Sequence, residues 1–431
     1  MKKKFLIISY SYPPANSPAA QRPYALAKYL DKSKFDVFVL TCGNADSSMG
    51  FDDGFDENIK NVTLIKVDDF LGKKASGIRN HRTVASNAGI IAKIKSKAFV
   101  TARTMLFPDR AIFWLPNVYK YLKNNPIFLD SIDVLFSTSP LFSNHLAALY
   151  IKKRNNKLKW IADIRDFHYI EHIEHKSILL GLLHKTVEKK VLKKTDYVTV
   201  VSEIMKQKFE NRYPKYASKF NLLYNGFDLD DFRQLDIKPL TGDTLDIFYA
   251  GSFYSGVRTP VPLFKLLDIV FEEKIISPEN IKVYIAGTMD EHLSLEINKY
   301  KSAKCMEYLG RIPRSEVLYR LTNTHLLWLI IGHTKLHSIG IPIKLYEYIA
   351  AKRPILCFAP HTAEPANVVR ENNLGWVIDD KADAIEIQVN NFKDIVASFK
   401  KGTLQQPLSI DALKKFNREQ QAEIIARLIN K

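Results

Sequence analysis

The sequence is poor in cysteine. Its 431 residues include only three, Cys42, Cys305 and Cys357, which stand far apart and form no C-x-x-C pair. This scarcity disfavours a disulfide framework, a zinc knuckle and a dithiol redox motif. We therefore expect a reducing, cytoplasmic setting for the protein.

Long apolar runs are also missing. The most apolar stretch, Leu326 to Ile331, is far shorter than the ~20 residues of a transmembrane helix. The first residues imitate a signal peptide, but Pro13 and Pro14 stop the apolar run, and we interpret Phe5 to Ile8 as a buried strand. Any contact with a membrane is thus expected to be peripheral.

Acidic residues are scarce relative to basic ones, since 46 Asp and Glu stand against 63 Lys and Arg and give a formal net charge of +17. Such a surface attracts nucleotides, phospholipids or nucleic acids. Nucleic acid is disfavoured because no helix-turn-helix or base-stacking motif accompanies the basic clusters. An apolar fraction of 46% with 25% charged residues excludes a disordered or fibrous chain.

Short apolar runs alternate with helix-like segments, which is typical of parallel strands covered on both faces by helices. A first set of runs begins at residues 5, 37, 62, 134, 160 and 197, and a second set begins at 247, 283, 326 and 354. The polar stretch from Leu229 to Asp246 predicts a linker between the sets, and 410–431 predicts one amphipathic helix. The pattern indicates an α/β protein with two doubly wound halves and a cleft between them.

Two loops of the first half could carry chemistry. The loop from Tyr12 to Pro18 follows the first strand, where helix N–H groups can face a ligand, although it lacks G-x-G-x-x-G and also fits a plain connector. Asp163, Arg165 and Asp166 follow another strand. The two carboxylates could orient a hydroxyl nucleophile, or they could simply neutralise the arginine.

Two further segments lie in the second half. Small residues, Gly251, Ser252 and Gly256, precede Arg258, which suits a close approach to phosphate but also fits a surface turn. Later, Pro342 is placed to begin a helix whose N–H groups suit a diphosphate. Lys344 and Glu347 share one face of that helix, and the alternative is an exposed ion pair.

Taken in order, these four segments resemble the bacterial retaining glycosyltransferases of the GT-B fold, specifically the family 4 group of polysaccharide and lipid-linked glycan enzymes. Further segments extend the resemblance along nearly the whole chain: Phe107-Pro-Asp109 with Trp114, Ser137-Thr-Ser-Pro140, Val198-Thr-Val-Val-Ser202, Asn225-Gly-Phe-Asp228 and Leu309-Gly-Arg-Ile-Pro313. The resemblance implies two Rossmann-like domains facing a central cleft. Residues 1–234 with a returning helix 410–431 would bind the acceptor, and 235–409 would bind a nucleotide-diphosphate sugar.

The resemblance also assigns roles. The residues implied in catalysis at the donor are Arg258 and Lys344 for the diphosphate and Glu347 for the ribose hydroxyls. The residues implied in further donor binding are Gly251, Ser252, Arg311, Gly340, Ile341 and Pro342. The residues implied in acceptor binding or closure are Asn16, Ser17, Arg22, Asp163, Arg165 and Asp166. The sequence departs from the family in three places: Ile339 replaces the first of its paired glutamates, Ser252 replaces a common second arginine, and Ser17-Pro18 replaces the usual glycine pair of the N-terminal loop.

The implied reaction needs no metal and no other cofactor. Negative charge that builds on the leaving diphosphate would be stabilised by cations and the helix start. The only D-x-D, Asp228-Leu-Asp230, opens the linker and does not suggest a divalent ion. In retaining relatives the acceptor hydroxyl attacks from the leaving-group side, so no protein nucleophile is expected.

The segment 71–108 holds eight Lys or Arg and no Asp or Glu, interleaved with apolar residues. This pattern is typical of a surface that lies on anionic membrane, and it also fits a solvated helical face. The membrane interpretation predicts a protein on the inner face of the cell membrane with a polyprenyl-linked glycan acceptor. Two alternatives remain open: a nucleotide-sugar 2-epimerase of the same fold, and an inactive glycosyltransferase-like scaffold.

Overall fold

The computed structural model describes residues 2–14, 17–45, 59–71, 106–168, 178–233, 235, 240, 242–253, 258–404 and 410–430. The chain divides into two compact units. Unit 1 consists of Met1–Leu223 with Arg418–Lys431, and unit 2 consists of Tyr224–Asn417. The sequence placed the changes of domain after residues 234 and 409.

Unit 1 contains a parallel sheet of seven described strands in the order β3-β2-β1-β4-β5-β6-β7. The strands are β1 Lys3–Ile8, β2 Phe35–Cys42, β3 Val62–Val67, β4 Val134–Thr138, β5 Lys159–Ile164, β6 Tyr197–Val200 and β7 Phe220–Leu222. The described α-helices are Pro18–Tyr29, Leu115–Asn124, Pro126–Asp130, Ser143–Arg154, Ile178–Lys194, Glu203–Arg212 and Arg418–Asn430, with 3-10 helices at Arg110–Phe113 and Pro214–Lys219.

Strand β1 lies at the centre of this sheet because both of its faces are apolar. Phe5 and Ile7 pack into the cluster on one face, and Leu6 and Ile8 pack into the cluster on the other. Its residues pair in register with β2 and β4, for example Phe5 with Val37 and with Val134. Strands β2 and β3 are added on one side of β1, and β4 to β7 are added on the other side. The topological switch point therefore lies at the carboxyl ends of β1 and β4.

Unit 2 contains a parallel sheet of six described strands in the order β10-β9-β8-β11-β12-β13. The strands are β8 Leu245–Ala250, β9 Ile281–Ala286, β10 Met306–Gly310, β11 Leu326–Ile330, β12 Ile355–Phe358 and β13 Gly375–Ile378. The described α-helices are Val261–Glu272, Glu291–Ile297, Arg314–Thr322, Lys335–Ile339, Ile343–Ala350, Glu364–Glu371, Ile385–Lys400 and Ile410–Phe416, with 3-10 helices at Leu229–Asp231, Pro278–Asn280 and Lys301–Cys305. Here the switch point lies between β8 and β11.

The apolar runs of the sequence became strands of the two sheets, which confirms the α/β class with two doubly wound halves. Three short strands, β7, β10 and β13, were not predicted. The expected linker also ends earlier than Asp246, because Leu245 already pairs with Ile281 in the second sheet.

The prediction of a single helix over 410–431 is wrong. The structure has two helices, Ile410–Phe416 and Arg418–Asn430, interrupted at Asn417. Asn417 instead forms a β-bridge with Phe227, whose N–H donates to the carbonyl of Phe416 at 3.0 Å. The chain therefore leaves the helical path for one residue at the place where it passes from unit 2 to unit 1.

The second of these helices completes the core of unit 1. Ile425, Leu428 and Ile429 are at most 4% exposed and belong to the cluster that contains Leu26 and Ala27 of the first helix. Among the described residues, no helix combines the length and the apolar composition needed to cross a membrane.

Candidate functional site

The two switch points are the places to look for a ligand, because in open α/β sheets the loops at the carboxyl ends of the strands diverge there. In unit 2 these loops follow β8 and β11 and contain most of the donor residues expected from the sequence. In unit 1 the expected closure residues Ser17 and Arg22 follow β1, whereas Asp163, Arg165 and Asp166 lie at the carboxyl end of β5, the neighbour of β4.

Gly251 follows β8 and lies directly against a lysine. Its N–H donates to the carbonyl of Ala286 at 2.7 Å, and its φ of +151° belongs to the region that favours glycine. A Cβ added at Gly251 would stand 2.2 Å from the Nζ atom of Lys344. The position therefore lets the ammonium of Lys344 approach the backbone.

The Lys344 ammonium is buried without a hydrogen-bond acceptor among the described residues. It lies over the ring of Tyr249, 4.3 Å from the ring centroid. Burial and, after it, the charge of Arg258 lower the pKa of Lys344 to about 7, against the opposing effect of Glu347. A buried cation that lacks acceptors is destabilising by itself and is stabilised when an anion binds.

Arg258 is the second cation of this cluster. Its charge lowers the pKa of Lys344 and also contributes, after burial, to a lowered pKa of His337. Arg258 follows β8, whereas Lys344 and His337 lie on segments that follow β11. The fold thus gathers positive charge from both sides of the switch point, as a diphosphate site requires.

Glu347 is held by an arginine that the sequence reasoning missed. Nη1 of Arg314 donates to Oε1 of Glu347 at 2.8 Å, and Nη2 donates to Oδ2 of Asp231 at 2.7 Å. Burial lowers the pKa of Arg314, but the carboxylates of Glu347 and Asp231 outweigh it and raise the pKa. Within the described part of the chain, Oε2 of Glu347 accepts no hydrogen bond, so it can accept from a ligand hydroxyl.

The helix Ile343–Ala350 fixes Lys344 and Glu347. It begins after Pro342, as expected, and buries Leu345 and Ile349 in the core. The hydroxyl of Tyr348 donates to the carbonyl of Trp328 at 3.1 Å and accepts from the N–H of Ala250 at 3.3 Å. These bonds tie the helix to β11 and β8, and Gly340 and Ile341 form the approach to it.

Two more glycines line the carboxyl ends of β9 and β10. The N–H of Gly287 donates to the carbonyl of Gly310 at 2.7 Å, and a Cβ at Gly287 would lie 1.9 Å from the carbonyl oxygen of Gly251. The hydroxyl of Tyr308 donates to the carbonyl of Gly287 at 2.9 Å. The backbone segments after β8, β9 and β10 therefore approach one another closely, and Arg311, which follows β10, is exposed.

Ile339 and Ser252, two positions at which the sequence departs from the family that it resembles, follow β11 and β8. Ile339 is 7% exposed, so its apolar side chain is buried. The carbonyl of Ser252 accepts a hydrogen bond from the hydroxyl of Tyr249 at 3.3 Å. Lys344, over the same Tyr249 ring, supplies positive charge close to the position where Ser252 has none.

In unit 1 the structure brings Arg22 and Asp163 into a buried network. Asp163 is fully buried and accepts from Arg22 Nη1 at 2.9 Å, Thr138 Oγ1 at 2.6 Å and Thr199 Oγ1 at 2.8 Å. Arg22 also donates to the carbonyl of Leu223 at 3.0 Å. Asp163 thus forms a buried ion pair with Arg22 at 2.9 Å, whereas the sequence motif suggested Arg165, whose Nε atom lies 3.8 Å from the carboxylate.

Arg165 and Asp166 diverge. Arg165 donates to the carbonyls of Ser139 and Ala19, and burial lowers its pKa to about 10 despite the opposing charge of Asp163. Asp166 is exposed. Ser17 lies at the start of the helix Pro18–Tyr29, and Asn16 lies outside the described residues. The arginine thus joins the loop after β4 to the segment after β1.

The segment Phe107-Pro-Asp109 and the nearby Trp114 connect elements of unit 1 through hydrogen bonds. Asp109 accepts from the N–H and the hydroxyl of Ser143, both at 2.8 Å, and from the N–H of Ala111 at 2.8 Å. Trp114 is buried and donates to the carbonyl of Val67 at 2.8 Å. The segment around Asp109 therefore fixes the start of the helix Ser143–Arg154.

One group within the described residues has ligand atoms close enough for a metal ion: His333, Asp379 and Asp380, with ligand atoms within 4.8 Å of one another. His333 Nε2 lies 2.9 Å from Asp380 Oδ1, and Asp379 Oδ1 accepts from the N–H groups of Lys381 and Ala382, both at 3.1 Å. These side chains thus already have partners within the protein, and they are distinct from the cations around Lys344.

No family model matches the chain, and no curated protein matches it. Solved structures do match over nearly their whole length. A lipopolysaccharide outer core galactosyltransferase, WaaB, gives a TM-score of 0.57 at 13% identity, covering 99% of both chains. A glycosyltransferase from Rickettsia africae gives 0.59 at 12% identity, covering 100% of this chain and 98% of its own. The chain has the GT-B fold.

The GT-B fold is shared by enzymes of more than one kind. A putative UDP-N-acetylglucosamine 2-epimerase from Listeria monocytogenes gives a TM-score of 0.52 at 10% identity, covering 100% of this chain and 96% of its own. At such low identities the likeness shows the fold alone. What this GT-B chain does has to be argued from its site.

Proposed function

We propose that the protein is a retaining glycosyltransferase that moves a sugar from a nucleotide-diphosphate sugar to a hydroxyl of a glycan or lipid-linked glycan. The observation that carries the proposal is the buried ammonium of Lys344 beside Gly251, which has no acceptor among the described residues and is close enough to Arg258 to feel its charge. A diphosphate would supply the missing acceptors. The likeness to solved glycosyltransferases supports the choice of reaction.

Each donor residue then has a chemical role. Lys344 and Arg258 would bind the diphosphate oxygens, and Glu347, oriented by Arg314, would accept from the ribose hydroxyls. Gly251, Ser252, Gly340, Ile341 and Pro342 would leave backbone room for the phosphates, and Arg311 would meet the base.

The reaction would proceed as follows. The bond between the anomeric carbon and the phosphate oxygen breaks, and its electron pair leaves with the nucleoside diphosphate. The acceptor oxygen forms the new bond on the same face of the sugar, and its proton passes to the departing phosphate. Lys344 and Arg258 would stabilise the charge that develops on that phosphate, which is the role a divalent cation has in other sites.

The test is a thermal-shift screen of the purified protein against UDP, GDP, ADP, CMP and their sugar conjugates, because a ligand that binds only the folded state raises its stability. We expect one nucleotide to stabilise the protein and Arg258→Ala or Lys344→Gln to abolish that shift. Lys282→Gln, an exposed lysine of β9, is the matched control. A well-folded protein that responds to none of them contradicts the proposal and favours an inactive scaffold.

A nucleotide-sugar 2-epimerase is the second candidate, because the likeness to the Listeria structure extends over the whole chain. The two enzymes differ in products. Incubation with the stabilising nucleotide sugar and glycan acceptors releases the nucleotide from a transferase and yields an epimeric nucleotide sugar from an epimerase. Proton NMR of the product reports the anomeric configuration, and assays with a chelator test metal independence.

We also propose a cytoplasmic, membrane-peripheral location with a polyprenyl-linked acceptor. Its support is the basic and apolar sequence 71–108, of which 72–105 lie outside the described residues. Fractionation of cells into membrane and cytosol with and without a high-salt wash tests this location, because electrostatic attachment is reversed by salt.

A further inference from the structure

The helix Ile178–Lys194 of unit 1 exposes a face of unusual composition. From residue 182 onward, eight residues point to solvent: Leu182, Leu183, Lys185, Thr186, Lys189, Lys190, Lys193 and Lys194. At 100° per residue they cover about half of the helix circumference without interruption. The stripe, which we call the lysine face, runs for about 18 Å along the axis.

The lysine face carries no carboxylate. The only acidic residue of the helix, Glu188, is fully buried on the opposite side, 3.6 Å from Nη1 of Arg212. Burial raises the pKa of Glu188, and Tyr213 and Arg212 oppose that rise. In the described part of the chain none of the five lysines forms an ion pair, whereas solvent-facing helices commonly pair Lys with Glu four residues away.

Two leucines extend the same face. Leu182 is 55% exposed and Leu183 is 43% exposed, side by side at the amino end of the stripe. The next residue, His184, is buried, and its ring lies 4.9 Å from the ring of Phe107. Phe107, at the end of the basic sequence 71–108, thus packs against the buried side of this helix, and the lysine face points away from that contact.

We infer that the lysine face docks on an anionic phospholipid bilayer. Lysine ammonium groups would lie among the headgroup phosphates, and Leu182 with Leu183 would enter the boundary of the acyl chains. Charge complementarity selects this partner, and the exposed leucines distinguish it from a nucleic acid, which would gain nothing from them. The inference rests on the proposed peripheral location and adds the surface that produces it.

The experiment measures co-sedimentation of the full chain with vesicles of phosphatidylcholine containing ~30 mol% phosphatidylglycerol, compared with pure phosphatidylcholine. One variant replaces Lys189, Lys190, Lys193 and Lys194 with glutamine, and another carries Leu182→Gln and Leu183→Gln. The control replaces Lys265, Lys282, Lys299 and Lys304 of unit 2 with glutamine. All four control lysines are exposed, and their replacement removes the same charge.

We expect the wild type to bind the anionic vesicles and not the neutral ones. The lysine variant should bind on the order of 100-fold more weakly, and the leucine variant about tenfold more weakly, because each basic or apolar group contributes separately. The control should remain close to wild type. Glutamine keeps a good helix propensity, and unchanged thermal unfolding shows that each variant is folded.

Three results would overturn the inference. If the control variant bound the vesicles as weakly as the lysine variant, net charge alone would explain the binding. If the lysine variant still bound as tightly as the wild type, a different surface of the protein would be responsible. Tighter binding of a single-stranded oligonucleotide than of vesicles, lost in the lysine variant and kept in the leucine variant, would identify a nucleic-acid surface. Nucleotide-induced thermal shifts, measured on the same variants, report the donor site separately, so failure of one proposal is distinguished from failure of the other.

Discussion

The Lys344 ammonium lies 4.3 Å from the centroid of the Tyr249 ring, and no acceptor of the described residues reaches it. The face of an aromatic ring attracts a cation but replaces only part of its lost hydration. Tyr249 is fully buried and stacks on Phe253 at a centroid distance of 4.6 Å, which holds the ring in place. The ammonium is therefore kept in a fixed position and is incompletely solvated.

We predict that donor binding takes up a proton. Because the pKa of Lys344 is lowered to about 7 by burial, a large share of the side chains is neutral at pH 8 in the ligand-free protein. A bound diphosphate favours the ammonium and raises this pKa. Affinity for the nucleotide sugar should thus fall by up to about tenfold per pH unit above pH 7.

Isothermal titration calorimetry in two buffers of different ionisation enthalpy measures this proton uptake. A nucleotide sugar is the appropriate ligand because its diphosphate is a diester and does not itself titrate near neutral pH. Lys344→Arg keeps the charge at all these pH values, since arginine stays protonated, and should flatten the profile. Steep pH dependence that persists in Lys344→Arg would assign the proton to another group.

We predict that Arg314 acts as a positioning residue for Glu347. Arg314→Met leaves Glu347 without its 2.8 Å donor, so the carboxylate loses its orientation and nucleotide affinity should fall about tenfold, as for one lost charge-assisted hydrogen bond. Arg314→Lys should be intermediate because lysine cannot bridge Glu347 and Asp231 with a planar fork. Nucleotide titrations by calorimetry measure the change.

The control lies on the same helix. Arg320→Met removes an arginine that pairs with Glu316 and lies 5.5 Å from the centroid of the Tyr284 ring, away from Glu347. It should leave nucleotide affinity within about twofold of wild type, since the partly exposed pair with Glu316 contributes little and lies apart from Glu347. Equal losses in Arg314→Met and Arg320→Met would mean that Arg314 acts through helix stability alone.

We predict that Asp163 stabilises the fold of unit 1. Asp163→Asn leaves the buried Arg22 without its carboxylate and turns one of the two acceptor oxygens into a donor, which faces the hydroxyl of Thr138 or that of Thr199. The free energy of unfolding should fall by about 3 kcal/mol. Asp166→Asn, at an exposed position, should change it by less than about 0.5 kcal/mol. Urea unfolding followed by fluorescence measures both, and equal values would contradict the structural role.

We predict that unit 1 loses stability in mild acid through His145. This ring is fully buried, its Nδ1 lies 2.8 Å from Ser137 Oγ, and burial lowers its pKa to about 4, opposed by Asp163 and assisted by Arg165. Between about pH 4 and 6.5 the unfolded state binds more protons than the folded state. The free energy of unfolding therefore decreases as the pH is lowered from 6.5 to 4, by about 3 kcal/mol in total. His145→Gln should reduce the slope of thermal unfolding against pH. His292→Gln, at an exposed position, should leave the slope unchanged.

The sequence predicted the buried strands well because apolar runs such as Leu326 to Ile330 have no polar face. It did not predict β10, because that strand lacks a continuous run of buried apolar residues. Glu307 and Tyr308 of that edge strand are exposed, so their sequence lacks a continuous apolar signal. The short β7, three residues long, offers too little pattern to recognise.

The candidate site shows a similar division. Lys344 and Glu347 could be placed on one helix face from their spacing, and the start of the helix at Pro342 followed from proline itself. Arg314 could not be assigned, because its partners Glu347 and Asp231 are 33 and 83 residues away in the chain. The one local signal is its position at a helix start directly after Pro313, three residues after Arg311.

The return of the helix Arg418–Asn430 to unit 1 sets an order of events during synthesis. Unit 2 has all of its residues once Asn417 has left the ribosome, whereas the apolar surface around Leu26 waits for Ile425 and Ile429. Unit 1, whose first residues are synthesised before those of unit 2, thus receives its last helix after unit 2 has been synthesised. A nascent chain halted within this helix would carry a complete second half and an open first half, a surface on which chaperones could act.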